Sequence, residues 1–110
     1  MRIAANQDTM TTYIVAQIKI RDRDEYSVYE SGFMDVFARF KGRLLAVDEA
    51  PDVLEGHWPY TRTVLITFPS KEDAAAWYQS DDYRKLAEHR HAASEADIVL
   101  IKGWVDGGAA

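Results

Sequence analysis

Twice along this chain a run of alternating side chains gives way, within a few residues, to apolar residues three and four apart. Thr12 to Ile20 alternates, with Ile14, Ala16, Ile18 and Ile20 wholly apolar on one side and Tyr13, Val15, Gln17 and Lys19 mixed on the other. Successive side chains of an extended backbone point to opposite faces, so this segment reads as a strand with one dry face. Behind Asp22 and Glu25, which resemble a capping box, Tyr26, Tyr29, Phe33, Val36, Phe37 and Phe40 then recur at helical spacing. Gly32 weakens that helix by about 1 kcal/mol relative to alanine, which points to close packing or flexibility there. Gly42 suits a left-handed residue at its end.

The second change of period is sharper. Arg62, Val64, Ile66 and Phe68 fall on one face of a strand and Thr63, Leu65 and Thr67 on the other. Pro69-Ser70 follows, and Ser70 with Asp73 can cap a helix carrying Ala74, Trp77 and Tyr78. The helix breaks near Ser80-Asp81 and restarts with the stripe Tyr83, Leu86, Ala87 and Arg90. Arg43 to Glu49 reads as a strand, Asp52 to Glu55 as a short extended piece, and Glu95 to Lys102 as the last strand. Pro59 removes a backbone donor and keeps the approach to Arg62 at a sheet edge or outside the sheet.

The order strand, helix, strand, strand, helix, strand predicts an α+β fold. It is a ferredoxin-like βαββαβ sandwich, a four-stranded antiparallel sheet with helices on one face. Its domain spans 12–104, after an amino-terminal extension (1–11) and before a tail (105–110). On the face without helices Val15, Leu65 and one side of the last strand are apolar, where a solvated sheet would be polar. A second copy of the same sheet, in a two-fold homodimer, is the expected cover.

Composition narrows the partners. Eighteen acidic and thirteen basic residues give a formal charge of −5, which disfavours nucleic acid and anionic membrane surfaces. The small basic cluster Arg39, Lys41 and Arg43 reads as favourable placement near a helix carboxyl end. With no cysteine, disulfides, thiolate metal sites and cysteine nucleophiles are excluded, and a reducing cytoplasmic setting fits. No apolar run approaches the roughly 20 residues of a membrane helix.

The run Leu54-Glu55-Gly56-His57-Trp58, the passage from Phe68-Pro69-Ser70 into Ala76-Trp77-Tyr78-Gln79-Ser80-Asp81-Asp82-Tyr83, and the closing Ala96-Asp97-Ile98-Val99-Leu100 resemble the uncharacterised family called domain of unknown function 1330. The resemblance runs from Thr12 to Gly103. It implies a dimeric α/β-barrel, in which two ferredoxin-like sheets close a barrel with helices outside, but no activity. The wider superfamily includes cofactor-free monooxygenases, isomerases, haem-handling enzymes and regulatory ligand binders, so enzyme and binder both stay open.

Most candidate chemistry precedes the Arg62 strand. In an extended segment Glu55 and His57 project to the same side, where the carboxylate can orient the imidazole as a general base. The alternative is a solvated histidine on a surface loop. Arg62 opens an apolar face and can hold an anionic ligand group bidentately, or it can pair internally with Glu55, Asp97 or Glu30. Trp58 and Tyr29 are the expected ligand-facing walls. His89 and His91, two apart on a helix, point to nearly opposite sides and do not chelate one metal. Two functions follow: a cofactor-independent enzyme, monooxygenase- or isomerase-like, on a modest-sized anionic or aromatic ligand, or a dimer that binds or senses such a ligand without chemistry.

Overall fold

The computed structural model describes residues 11–104. Most of the predicted extension and the tail at 105–110 lie outside the described residues. The elements are β1 (Thr12–Ile20), α1 (Arg23–Phe37), β2 (Arg43–Asp48), β3 (Arg62–Phe68), α2 (Lys71–Tyr78), α3 (Asp81–Ala93) and β4 (Ser94–Lys102). The strands form one sheet in the order β2-β3-β1-β4, every neighbouring pair antiparallel. The α+β ferredoxin-like arrangement is thus as the sequence predicts, with the second helical segment split at Ser80.

All three helix starts are built by side chains. Asp22, Ser70 and Ser80 each sit in extended backbone and accept a hydrogen bond from an N–H three residues on. The reciprocal half of the expected capping box at α1 is missing for a physical reason. The Asp22 N–H already donates to Ala93 O at 3.0 Å, and the Glu25 carboxylate instead meets His89 Nδ1 on α3 at 2.5 Å.

The register fixes what lies under the helices. Ile14 pairs with Ile66 and Leu100, and Ala16 with Val64 and Ile98. Ile14, Ile18, Ile66 and Phe68 are buried against Tyr26, Tyr29, Phe37, Trp77 and Tyr83 from the helices. On the opposite face Val15 stands between Leu65 and Val99, and Tyr13 between Thr67 and Ile101. Val99 is 55% exposed and Ile101 47%. A bulge between Leu44 and Ala46 shifts the register of β2, an edge strand whose every residue is exposed.

Two local expectations are corrected and a third is met in part. α1 ends at Phe37 with Ala38 in right-handed backbone, and Gly42 is not left-handed. A Cβ on Gly42 would lie 2.6 Å from Phe37 Cζ and 2.7 Å from Phe68 Cε2, so close packing is what requires glycine there. The basic residues after α1 lie past its last turn, but Arg39 Nε donates back to the Asp35 carbonyl in that turn at 3.2 Å while its guanidinium pairs with Asp82 at 2.7 Å, and Lys41 approaches Asp73 at 3.8 Å. Residues 52–55 form no strand, and the segment from 49 to 61 loops outside the sheet.

Candidate functional site

Between the helices and the sheet lies a cavity of about 170 Å³. Ala16 and Val64 form part of its floor, and Tyr29, Phe33, Trp77 and Tyr83 part of its aromatic roof and walls. Its mouth lies toward β2, where the lining residues Met34, Leu44 and Val47 are half exposed. The space exists because Ala16 places a methyl group between the larger Ile14 and Ile18 on the same face, and because β2 runs past the edge of α1's cover.

Arg62 stands at this cavity, as the first residue of β3 on the helix-covered face. Its Nη1 donates to Glu49 Oε2 at 2.9 Å and lies 3.1 Å from Glu30 Oε2. Glu49 also accepts from Arg23 Nη1 at 3.1 Å, and the hydrogen bonds from Arg23 and Arg62 hold its carboxyl below the ordinary range. Two arginines and two carboxylates therefore form a charge-balanced cluster. Glu30 was among the internal partners expected for Arg62; Glu49, at the far end of β2, was not.

Deeper in the cavity the hydroxyls of Tyr29 and Tyr83 lie 2.7 Å apart in a buried hydrogen bond. Burial, reinforced by the neighbouring Tyr83, pushes Tyr29 well above the ordinary phenol range. It is held protonated, as a donor rather than a base. Beside the pair, the Arg90 guanidinium lies 5.8 Å over the Tyr29 ring. Three lining residues carry buried N–H groups that find no partner among the described residues: Arg62 Nε, Trp77 Nε1 and Arg90 Nε.

Of the five residues singled out in the sequence, Tyr29 and Arg62 line this cavity together, and Glu55, His57 and Trp58 do not. Gly56, with φ of 87°, is the one residue in left-handed backbone among those described. It turns the chain between Glu55 and His57 and so removes the alternation that would have put both side chains on one side. Both are exposed, and among the described residues neither has a hydrogen-bond or ion-pair partner. Trp58 packs edge-on against Tyr60 at 5.3 Å, and Tyr60 Oη donates to Asp97 Oδ2 at 2.8 Å. Among the described residues no group of histidines and carboxylates could hold a metal. Missed altogether was Arg90, and its signal was a cation on the otherwise apolar stripe of α3.

A ferredoxin-like α+β domain with an aromatic cavity between sheet and helices is the class these observations define. The sequence model described as "Domain of unknown function (DUF1330)" matches residues 11–104, and the chain belongs to that family. No curated protein matches the sequence significantly. Among solved structures, the fold resembles that of RPA0582, a protein of unknown function from Rhodopseudomonas palustris. The TM-score is 0.76 at 17% identity, covering 91% of this chain and 87% of that one. SnoaB, a cofactor-independent oxygenase from Streptomyces nogalater, superposes with a TM-score of 0.66 at 10% identity, over 87% of this chain and 95% of its own. A dimeric ferredoxin-like protein of unknown function from Thermobifida fusca gives 0.62 at 12% identity, over 93% and 99%. Among the described residues no helix is long and apolar enough to cross a membrane.

Proposed function

We propose that this protein takes a flat, oxygen-bearing organic molecule into the cavity under α1 and acts on it without a cofactor. The observation that carries this reading is the pairing of apolar aromatic walls with three buried N–H donors, from Arg62, Trp77 and Arg90, that have no acceptor among the described residues. Buried donors without acceptors cost stability, and a ligand oxygen would satisfy them. Donors fixed in a dry site also favour negative charge developing on that oxygen, as in an enolate or phenolate. A cavity of about 170 Å³ suits one ring, since roughly 150 Å³ is known to hold benzene. That SnoaB, of the same fold, is a cofactor-independent oxygenase supports the reaction class by analogy alone.

The second reading, a binder without chemistry, is favoured by one observation. Among the described residues lining the cavity there is no free base: Glu30 is paired with Arg62, and Tyr29 is held protonated. In the enzyme reading the base is His57 on the exposed loop before β3, which neither lines the cavity nor has Glu55 as a partner. Mass spectrometry of co-purified material, followed by NMR titration of what is found, tests both. Ligand-dependent shifts at Ala16 and Val64 are expected, and a ligand that leaves both unmoved refutes the site. Turnover that survives His57→Gln undiminished removes the histidine from the chemistry.

In the same reading the protein is a homodimer joined through the sheet face bearing Val15, Leu65 and Val99. Sedimentation should give a pair of subunits that Val99→Glu splits. A wild-type protein that stays single at every concentration would refute the pairing.

A further inference from the structure

We infer that Arg90, with the Tyr29–Tyr83 hydroxyl pair, forms an anion subsite at the inner end of the cavity, and that the ligand is a planar organic carboxylate or comparable oxyanion. The inference rests on the cavity reading and goes beyond it in placing the charge. Arg62, the obvious anion holder from sequence, is already matched: Glu30 and Glu49 occupy its Nη1, and Arg23 completes a neutral cluster. Arg90 is the opposite case. It is 4% exposed, and among the described residues no carboxylate forms an ion pair with it. Its side-chain contacts are a 3.5 Å approach of Nη2 to His91 Nε2, the Tyr83 hydroxyl, which accepts from the guanidinium, and the face of the Tyr29 ring, none of them an anion.

A guanidinium taken out of water loses far more than one aromatic face returns, and such charges are ordinarily paired. Its Nε–H is buried and without an acceptor among the described residues. The Tyr29 and Tyr83 side chains are buried next to it, and burial keeps the Tyr29 proton in place. Within the hydroxyl pair one O–H is spent on the other oxygen, which leaves the second proton to donate outward. A fork of guanidinium donors and one phenol donor, facing an apolar space sized for one ring, matches a carboxylate carried on that ring.

The test uses toluene, benzamide and benzoate, three probes of one ring that differ in polarity and charge, titrated into the intact protein and read from the amide signals of Ala16 and Val64. Toluene should bind, and benzoate should bind at least about tenfold more tightly than benzamide. Arg90→Met should abolish that preference and leave toluene binding in place. Tyr83→Phe removes one hydroxyl at nearly constant volume, and so tests the subsite even where Arg90→Met does not fold. It should weaken benzoate severalfold and spare toluene. Toluene binding without any benzoate preference would overturn the subsite and leave the cavity standing. Binding of none of the three would overturn both. A preference that survives Arg90→Met and disappears in Arg62→Met would move the anion to Arg62 and overturn the assignment.

Discussion

Ala16→Val should make this protein more stable and less able to bind. Ala16 lies on the covered face of β1, between Val64 and Ile98 in register, where it lines the cavity and packs against the core. Empty core volume costs about 24 cal/mol per Å³, so 170 Å³ held closed and dry would cost about 4 kcal/mol. The open mouth beside Leu44 and Val47 makes that figure a ceiling. Valine adds two carbons, each contributing about 0.8 kcal/mol when buried, and suits a strand better than alanine. The expected gain is therefore about 1.5 kcal/mol at most, read as a rise in Tm of roughly 4–8 °C per kcal/mol for a domain of this size. Calorimetry measures the gain, and NMR titration with toluene measures the loss, expected to be about tenfold or more. A stability that falls by more than about 1 kcal/mol, with toluene affinity intact, would refute the reasoning, because the methyl groups would then have met protein rather than open space.

Two glycines should respond to alanine with opposite signs. Gly42→Ala drives a methyl into the buried Phe37 and Phe68 rings and should cost about 1–3 kcal/mol in urea denaturation. Gly32→Ala meets Leu86 Cδ1 at 2.8 Å, the far end of a half-buried side chain, and recovers about 0.8–1 kcal/mol of helix propensity, so its net effect should lie between neutral and stabilising. Equal costs at the two sites would contradict the packing argument. Alkaline titration followed by phenolate absorbance should leave at least two of the six tyrosines, Tyr26 and Tyr29, protonated in the folded state, since burial raises both. The unfolded chain releases those protons near pH 10 and the folded chain does not, so their contribution is complete below that pH and is lost above it. Six reversible, ordinary phenol titrations in the folded protein would be the contrary result.

The fold was legible because each of its parts is written locally. Alternation in 12–20 and 62–68, the helical spacing after Asp22, and the serines before α2 and α3 each report on a few consecutive residues. The site was legible in part. Arg62 and Tyr29 announce themselves by their place on apolar faces, and both line the cavity. Glu55 and His57 depended on two residues staying extended, which one left-handed glycine undid. The partners of the cavity residues were hidden by distance along the chain. Tyr29 meets Tyr83 across 54 positions, and Arg62 meets Glu49 only because β2 turns back beside β3.

The irregular step at Leu45 carries a consequence for how copies of this chain can meet. β2 forms one rim of the sheet, and Leu44, Leu45 and Val47 are each more than two-fifths exposed along it, which is the profile of a strand that recruits others end to end. The extra residue interrupts the regular spacing of donors and acceptors that an incoming backbone would have to match. This fault line makes the rim a poor template for the pairing of further strands. Removal of Leu45 should then make the chain more prone to fibres than the intact protein, and an intact protein that forms fibres as readily would contradict it.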